Sequence, residues 1–240
     1  MIESAPMADE PVFVITGAST GIGAATARQA VEAGYRVVLA ARSEDKLRGL
    51  AQELGGEQRA IAQRCDVGDW DDQQALVATA LERFGRLDVY FANAGFGAAR
   101  GFLKEDPAQW RSMIDTNVLG VALSIRAALP HLVEAGRGHF LLTSSVAGRR
   151  ALPGSLYAAT KWAVTAMGEA LRLEIRNDHP DALVKVTLIE PGQTDTPFFD
   201  NRPQGMLEAD DIARAVMYAV SQPAHVDVNE ILIRPTRQPT

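Results

Sequence analysis

Short apolar runs alternate along this chain with longer stretches whose apolar positions recur every three to four residues. Val12–Thr16 (VFVIT) is apolar nearly throughout and opens directly into a glycine-rich turn. Thr20–Ala33 follows with helical spacing and stops at Gly34, a residue suited to the left-handed conformation that closes helices. Tyr35–Ala40 predicts a second strand, Ser43–Leu54 a helix and Ala60–Cys65 a weaker strand. Asp69–Phe84 predicts a helix whose acidic start complements the helix dipole. Leu87–Ala92 is a fourth strand, and Asp106–Ala135 contains a long helix with Pro107 in its first turn, where proline is tolerated. A strand at His139–Ser145, a long helix at Ser155–Arg176 and a strand at Val184–Glu190 ending in Pro191-Gly192 come next. Glu208–Ser221 and Glu230–Ile233 complete the series as helix and strand.

Strands apolar on both faces, each separated from the next by a helix, specify a parallel sheet covered on both sides. The pattern predicts one α/β domain over residues 11–240, a doubly wound parallel sheet of about seven strands, behind a flexible tail at residues 1–10. Composition fits an ordinary soluble domain, with 47% apolar and 22% charged residues. A chain this long buries enough surface to fold without disulfides or structural metal. The formal net charge of −6 argues against binding nucleic acid or an anionic membrane, so any bound anion must be captured by local geometry. The single cysteine, Cys65, precludes an internal disulfide and fits a reducing, cytoplasmic compartment, where it reads as a small buried hydrophobe. No uninterrupted apolar run of about 20 residues and no basic-then-apolar leader is present, so no membrane association is expected.

Local geometry of the required kind lies between the first strand and first helix, at Thr16-Gly17-Ala18-Ser19-Thr20-Gly21-Ile22-Gly23. Gly17 permits the turn, Gly21 admits a pyrophosphate close to the backbone, and Gly23 lets helix and strand pack closely. The start of the helix offers free N–H groups and a positive dipole end to phosphates. A strand, this turn and a helix together read as a Rossmann-type dinucleotide site. About 20 residues beyond the turn an acidic residue would favour NAD and an arginine a 2′-phosphate. The sequence there is Ala41-Arg42, with no acid before Glu44, which selects NADP(H).

The glycine spacing resembles that of the short-chain dehydrogenase/reductase family, and the resemblance extends from about Val12 to Thr236. It implies that Asp66 and Val67 contact the adenine ring, that Asn93-Ala94-Gly95 form a sheet-stabilising, cofactor-lining turn, and that Pro191, Gly192, Thr194 and Thr196 hold the nicotinamide amide. Ser19, Thr20 and Ile22 join the glycines at the cofactor, although many NADP-using relatives place a basic residue where Thr20 stands.

Tyr157 and Lys161 lie four apart near the start of a helix and therefore share a face. A neighbouring ammonium, together with an oxidised nicotinamide ring, favours the phenolate and lowers the tyrosine pKa, so Tyr157 can exchange a proton with an alcohol or carbonyl oxygen. The family resemblance assigns a tetrad of Asn117, Ser145, Tyr157 and Lys161. In it Ser145 bonds the substrate oxygen, Lys161 also holds the nicotinamide ribose, and Asn117 positions a water beside Lys161. Ser144 is the alternative by spacing alone, because the interval from Ser145 to Tyr157 is one residue short of the commonest one. No metal is implied: His131, His139, His179 and His225 are scattered. Asp71-Asp72 and Asp210-Asp211 complement helix starts, and Trp70, Trp110 and Trp162 read as packing residues.

The substrate is less defined. The family resemblance implies that the segment between Thr196 and Glu208, short here, forms a lid over the substrate with Phe198, Phe199 and Met206 as apolar walls, which suits a bulky neutral aldehyde or ketone. Arg149 and Arg150, between the serine and the tyrosine, suit the carboxylate of a 3-hydroxy acid instead. The segment from Asp210 to Gln238 resembles serine or 3-hydroxy-acid dehydrogenases and clavulanic-aldehyde reductases. The family resemblance also implies a homodimer or homotetramer joined through the long helices and the last strand. Two rivals stand beside the oxidoreductase: a catalytically silent NADP-binding regulatory or scaffold protein, which the intact tetrad opposes, and a methyltransferase, which leaves Arg42, Tyr157 and Lys161 unexplained.

Overall fold

Each apolar run becomes a strand and each stretch of helical period becomes a helix. The structure, a computed structural model, describes residues 10–97, 101–198 and 204–238. Most of the anticipated tail, and Phe199 of the anticipated lid, lie outside the described residues. The elements are β1 (Val12–Thr16), α1 (Gly21–Glu32), β2 (Arg36–Ala41), α2 (Glu44–Glu53), β3 (Ala60–Arg64), α3 (Trp70–Phe84) and β4 (Val89–Ala92). They continue with α4 (Pro107–Ile114), α5 (Gly120–Glu134), β5 (Arg137–Thr143), α6 (Leu156–Asp178), β6 (Leu183–Pro191), β7 (Thr194–Asp195), β8 (Leu207–Glu208), α7 (Ala209–Ser221) and β9 (Glu230–Ile233).

Seven strands form one parallel sheet in the order β3-β2-β1-β4-β5-β6-β9. Successive residues of a strand point to opposite faces, so β1 feeds two cores. Val12 and Val14 join Tyr90, Phe140 and Leu132 on one face, while Phe13 and Ile15 join Leu39, Phe91 and Ile212 on the other. Burying each such side chain contributes roughly 1.5–3 kcal/mol, which is why the sheet tolerates no polar face. β7 and β8 pair with each other and tie together the two ends of the anticipated lid.

The long helix has a feature beyond the sequence pattern, and one expectation needs correction. The long helix is continuous from Pro107 to Glu134, but Asp115–Leu119 widens into a π-helical turn that joins α4 to α5. An extra residue in one turn leaves the apolar period almost untouched, so sequence patterning does not register it. This helix is apolar enough by length and composition to cross a membrane, yet Val121, Ala127, Ala128 and Leu132 bury one side of it against the sheet. The tryptophans also differ: Trp110 packs edge-on against Phe102 at 6.0 Å, whereas Trp70 and Trp162 face outward from α3 and α6, Trp162 being 49% exposed. His139 is buried between strands beside Thr187, and desolvation pushes its pKa down to about 3, so it serves the core as a neutral ring.

Candidate active site

Strand order reverses between β1 and β4, and a cleft of about 850 Å³ opens there beyond the carboxyl ends of the strands. The turn after β1 forms one wall. Gly17 has φ +66°, and a side chain there would press on Ala94 Cα at 2.9 Å. Gly23 does not line the cleft but stands behind it, where a Cβ would run into the Gly17 carbonyl, so its role is close packing. Gly21 faces Thr196 across the cleft, a Cβ on it lying 3.0 Å from the threonine methyl. The first and last anticipated cofactor segments therefore meet.

The remaining anticipated residues fall into place around this wall. Ser19, Thr20, Gly21, Ile22, Arg42, Asp66, Val67, Asn93, Ala94, Gly95, Pro191, Gly192, Thr194 and Thr196 all line the same cleft. Asn93 stitches three strands together: its amide donates to the Thr16 carbonyl at 3.0 Å and its Oδ1 accepts from Thr143 Oγ1 at 3.3 Å. Thr16 Oγ1 accepts the N–H groups of Asn93 and Ala94 at 3.0 and 3.1 Å, a role the sequence does not announce. Cys65 reaches the cleft but is 1% exposed, and burial first, then nearby carboxylates, push its thiol up to about 12, so it is unreactive.

The residues fit a dinucleotide. The Thr20 side chain does not cap α1, and the first turn of α1 carries no acid, so the N–H groups beside the glycine turn face the cleft without a competing anion. Arg42 is exposed at this end and has no ion pair among the described residues, while the adjacent acid Glu44 is held by Arg48 at 2.6 Å.

At the other end, Ser155 caps α6 by accepting the Ala158 N–H at 3.3 Å, which orients the helix carrying Tyr157 and Lys161. Tyr157 stands near enough to Ser145 for that hydroxyl to pull its pKa downward; Ser145 Oγ accepts from Ala147 N at 3.1 Å and donates to the Pro191 carbonyl at 3.3 Å. Ser144 turns the other way, donating to the Lys161 carbonyl at 3.0 Å and meeting Thr165 at 2.8 Å. Geometry thus places Ser145, and not Ser144, beside the tyrosine.

Lys161 is buried, with Nζ 5.6 Å from the centre of the Tyr157 ring and donating to the Thr143 carbonyl at 2.7 Å. Burial pushes the Tyr157 phenol up to about 12, against a smaller downward pull from Ser145, and pushes the Lys161 ammonium down to about 8. The lowering that the sequence predicts comes from the lysine together with an oxidised nicotinamide ring; in the protein's own packing, burial outweighs the pull of Ser145.

Asn117 does not line the cleft; it sits fully buried in the π turn behind it. Its Oδ1 accepts from Phe96 N at 3.1 Å, and its Nδ2 donates to Phe96 O at 2.9 Å and Thr160 Oγ1 at 3.2 Å. A side chain at Gly95 would lie 3.1 Å from Asn117 Oδ1 and 3.5 Å from Lys161 Nζ, so this glycine keeps open the space between them.

The anticipated carboxylate site is not formed by Arg149. Its guanidinium binds the buried carboxylate of Glu190 at 2.7 Å and also pairs with Glu230, so it clamps the serine loop to β6 and β9. Arg150 is exposed and does not line the cleft. The substrate end is instead walled by Phe96, Leu152 and Phe198, whose ring lies edge-on to Tyr157 at 5.4 Å. Gln193 and Gln238 also line the cleft, and no sequence signal singled them out.

Comparison with known proteins agrees with this geometry. The family model described as short chain dehydrogenase matches residues 11–206. An uncharacterized oxidoreductase of Listeria monocytogenes is 40% identical over 95% of this chain and 97% of its own. An alcohol dehydrogenase from the archaeon Thermococcus sibiricus, solved with 5-hydroxy-NADP, is similar at 34% identity and a TM-score of 0.88, covering 97% of this chain and 99% of its own. A serine dehydrogenase in its closed form with NADP+ is similar at 28% identity and a TM-score of 0.89, covering 95% and 96%. Other neighbours of the same fold were solved with NADH or NAD. The chain belongs to the short-chain dehydrogenase/reductase family of oxidoreductases.

Proposed function

We propose that this protein transfers hydride between NADP(H) and an alcohol or carbonyl substrate, with Tyr157 as the proton-transferring residue. The observation that carries the reading is the convergence of Tyr157, Ser145 and the buried Lys161 on the same cleft as the glycine turn. When bound, the dinucleotide supplies the nicotinamide carbon that gives or accepts hydride. Burial keeps Tyr157 as the phenol, so it holds the proton that a carbonyl oxygen takes up on reduction. Ser145 orients that oxygen. Lys161 holds the ribose, and Asn117 keeps the Gly95–Phe96 turn against Lys161, leaving room for a water that relays the proton.

NADP is favoured over NAD by the guanidinium of Arg42, which has no ion pair among the described residues and matches a 2′-phosphate in charge and fork geometry. A neutral, bulky aldehyde or ketone is favoured over a 3-hydroxy acid by the substrate end. Among the described residues the charged groups lining the cleft are Arg42, Asp66 and Lys161. The first two lie at the adenosine end, and the third is bonded to Thr143. Self-association into a homodimer or homotetramer accords with the exposed apolar side chains Trp162 and Leu173 on α6 and Ile114 and Leu119 on the long helix, which a mass measurement in solution tests.

The decisive experiment follows NADPH oxidation across a panel of aldehydes, ketones and 3-oxo acids, with Tyr157→Phe as control. Turnover of a neutral carbonyl that vanishes in the variant is the expected result. Cofactor binding without turnover on any member of the panel supports the silent, NADP-binding scaffold instead.

A further inference from the structure

The segment after β9 returns to the cleft at Gln238. After β9 the backbone turns so that Gln238 N–H donates to the Pro235 carbonyl at 2.9 Å, which brings the Gln238 side chain against the turn that follows β6. Its Oε1 accepts the N–H of Gln193 at 2.8 Å. Residue 192 makes room for this contact by being glycine. A Cβ there would collide with Gln238 Oε1 and come within 3.1 Å of Arg234 Cα.

Three successive points on the turn are thus held by three separate parts of the chain. Gly192 N–H donates to the Ile233 carbonyl of β9 at 2.7 Å, Gln193 N–H to Gln238, and the Gln193 carbonyl accepts from Leu207 N–H at the base of the lid at 2.9 Å. The first and third are backbone contacts. The second is made by a side chain that also lines the cleft, and one substitution removes it.

We propose that Gln238 is a positioning residue for the bound dinucleotide, clasping the turn at residues 191–194 through the Gln193 N–H so that the turn is ordered before the cofactor arrives. This rests on the reading above, in which that turn holds the nicotinamide carboxamide. A turn left unclasped must be ordered at the expense of binding, so the cost falls on cofactor affinity.

Two variants separate the acceptor from the bulk of the side chain. Gln238→Met keeps the length and removes the strong acceptor, while Gln238→Glu keeps an oxygen at the same reach. In the cofactor-free protein, amide exchange in the segment spanning residues 192–195 accelerates in Gln238→Met and stays near wild type in Gln238→Glu. With NADPH titrated by its fluorescence, Gln238→Met binds about two- to tenfold more weakly, the range of one neutral hydrogen bond, and Gln238→Glu stays within twofold. In turnover, the KM for NADPH rises by a larger factor than kcat falls. Unchanged exchange in Gln238→Met, or equal losses of NADPH affinity in both variants, overturns the clasp. Exchange that responds as expected in a protein that binds neither NADPH nor NADH upholds the clasp and overturns the cofactor reading instead.

Discussion

Arg149→Ala separates a substrate-binding arginine from a structural one. The substitution leaves Glu190, 1% exposed, as a buried carboxylate without its partner. Removing one member of a fully buried ion pair costs about 3–5 kcal/mol, because the other charge stays desolvated and unpaired. The Arg149 side chain is 34% exposed, so solvent already screens part of the attraction, and a cost of about 2–3 kcal/mol is expected. In a chain of this size that lowers the thermal midpoint by roughly 5–10 °C. Glu190 is already held above the usual carboxylate range by burial, with Arg149 opposing the shift, and losing Arg149 raises it further. A carboxyl whose folded pKa exceeds its unfolded value loses stability as pH rises through that range, so the deficit narrows as pH falls through it. Denaturant unfolding of wild type, Arg149→Ala, Glu190→Gln and the double variant checks this, and the double variant recovers most of the loss. Activity on charged and neutral carbonyls falls by the same factor. A stability loss below about 0.5 kcal/mol, or an activity loss confined to carboxylate-bearing substrates, refutes the clamp.

Tyr157→Phe lowers kcat by about 10²- to 10⁴-fold while NADPH binding persists, since it removes a transferable proton and little volume; a variant that keeps a tenth of wild-type turnover dismisses the role. Arg42→Ala weakens NADP binding by roughly ten- to a hundredfold and leaves NAD binding nearly unchanged, as expected from losing a charge-assisted contact to a 2′-phosphate. Wild-type enzyme that prefers NADH speaks against that assignment. The kcat/KM for carbonyl reduction is level near neutrality and falls as pH rises through about 8, where Lys161 loses its proton, while Tyr157 at about 12 does not titrate in that window. Because the folded pKa of Lys161 lies below the usual lysine value of 10.5, its contribution to stability grows between about pH 8 and 10.5 in the cofactor-free protein. A reduction profile level to pH 10 removes Lys161 from the reaction.

What the sequence by itself determined is whatever depends on near neighbours along the chain. The strand runs, the helix periods, the glycine turn and the Tyr157–Lys161 spacing are local, and β1 and β9 occur at the residues their patterns predict. The doubly wound parallel class followed because apolar strands alternating with helices have few ways to be buried. The tertiary structure alone decided what depends on distant partners. Ser145 and Ser144 are adjacent and chemically identical, and only the approach of Tyr157 to one and of Thr165 to the other distinguishes them. Arg149 looks like a substrate cation until Glu190 and Glu230, 41 and 81 positions away, arrive to claim it. Spacing puts a lysine near Tyr157, but the desolvation of the phenol and the direction of the ammonium toward Thr143 are properties of the packed cleft. Gln238 carries no local signal at all, since it meets Gln193 only when the sheet sets β9 beside β6.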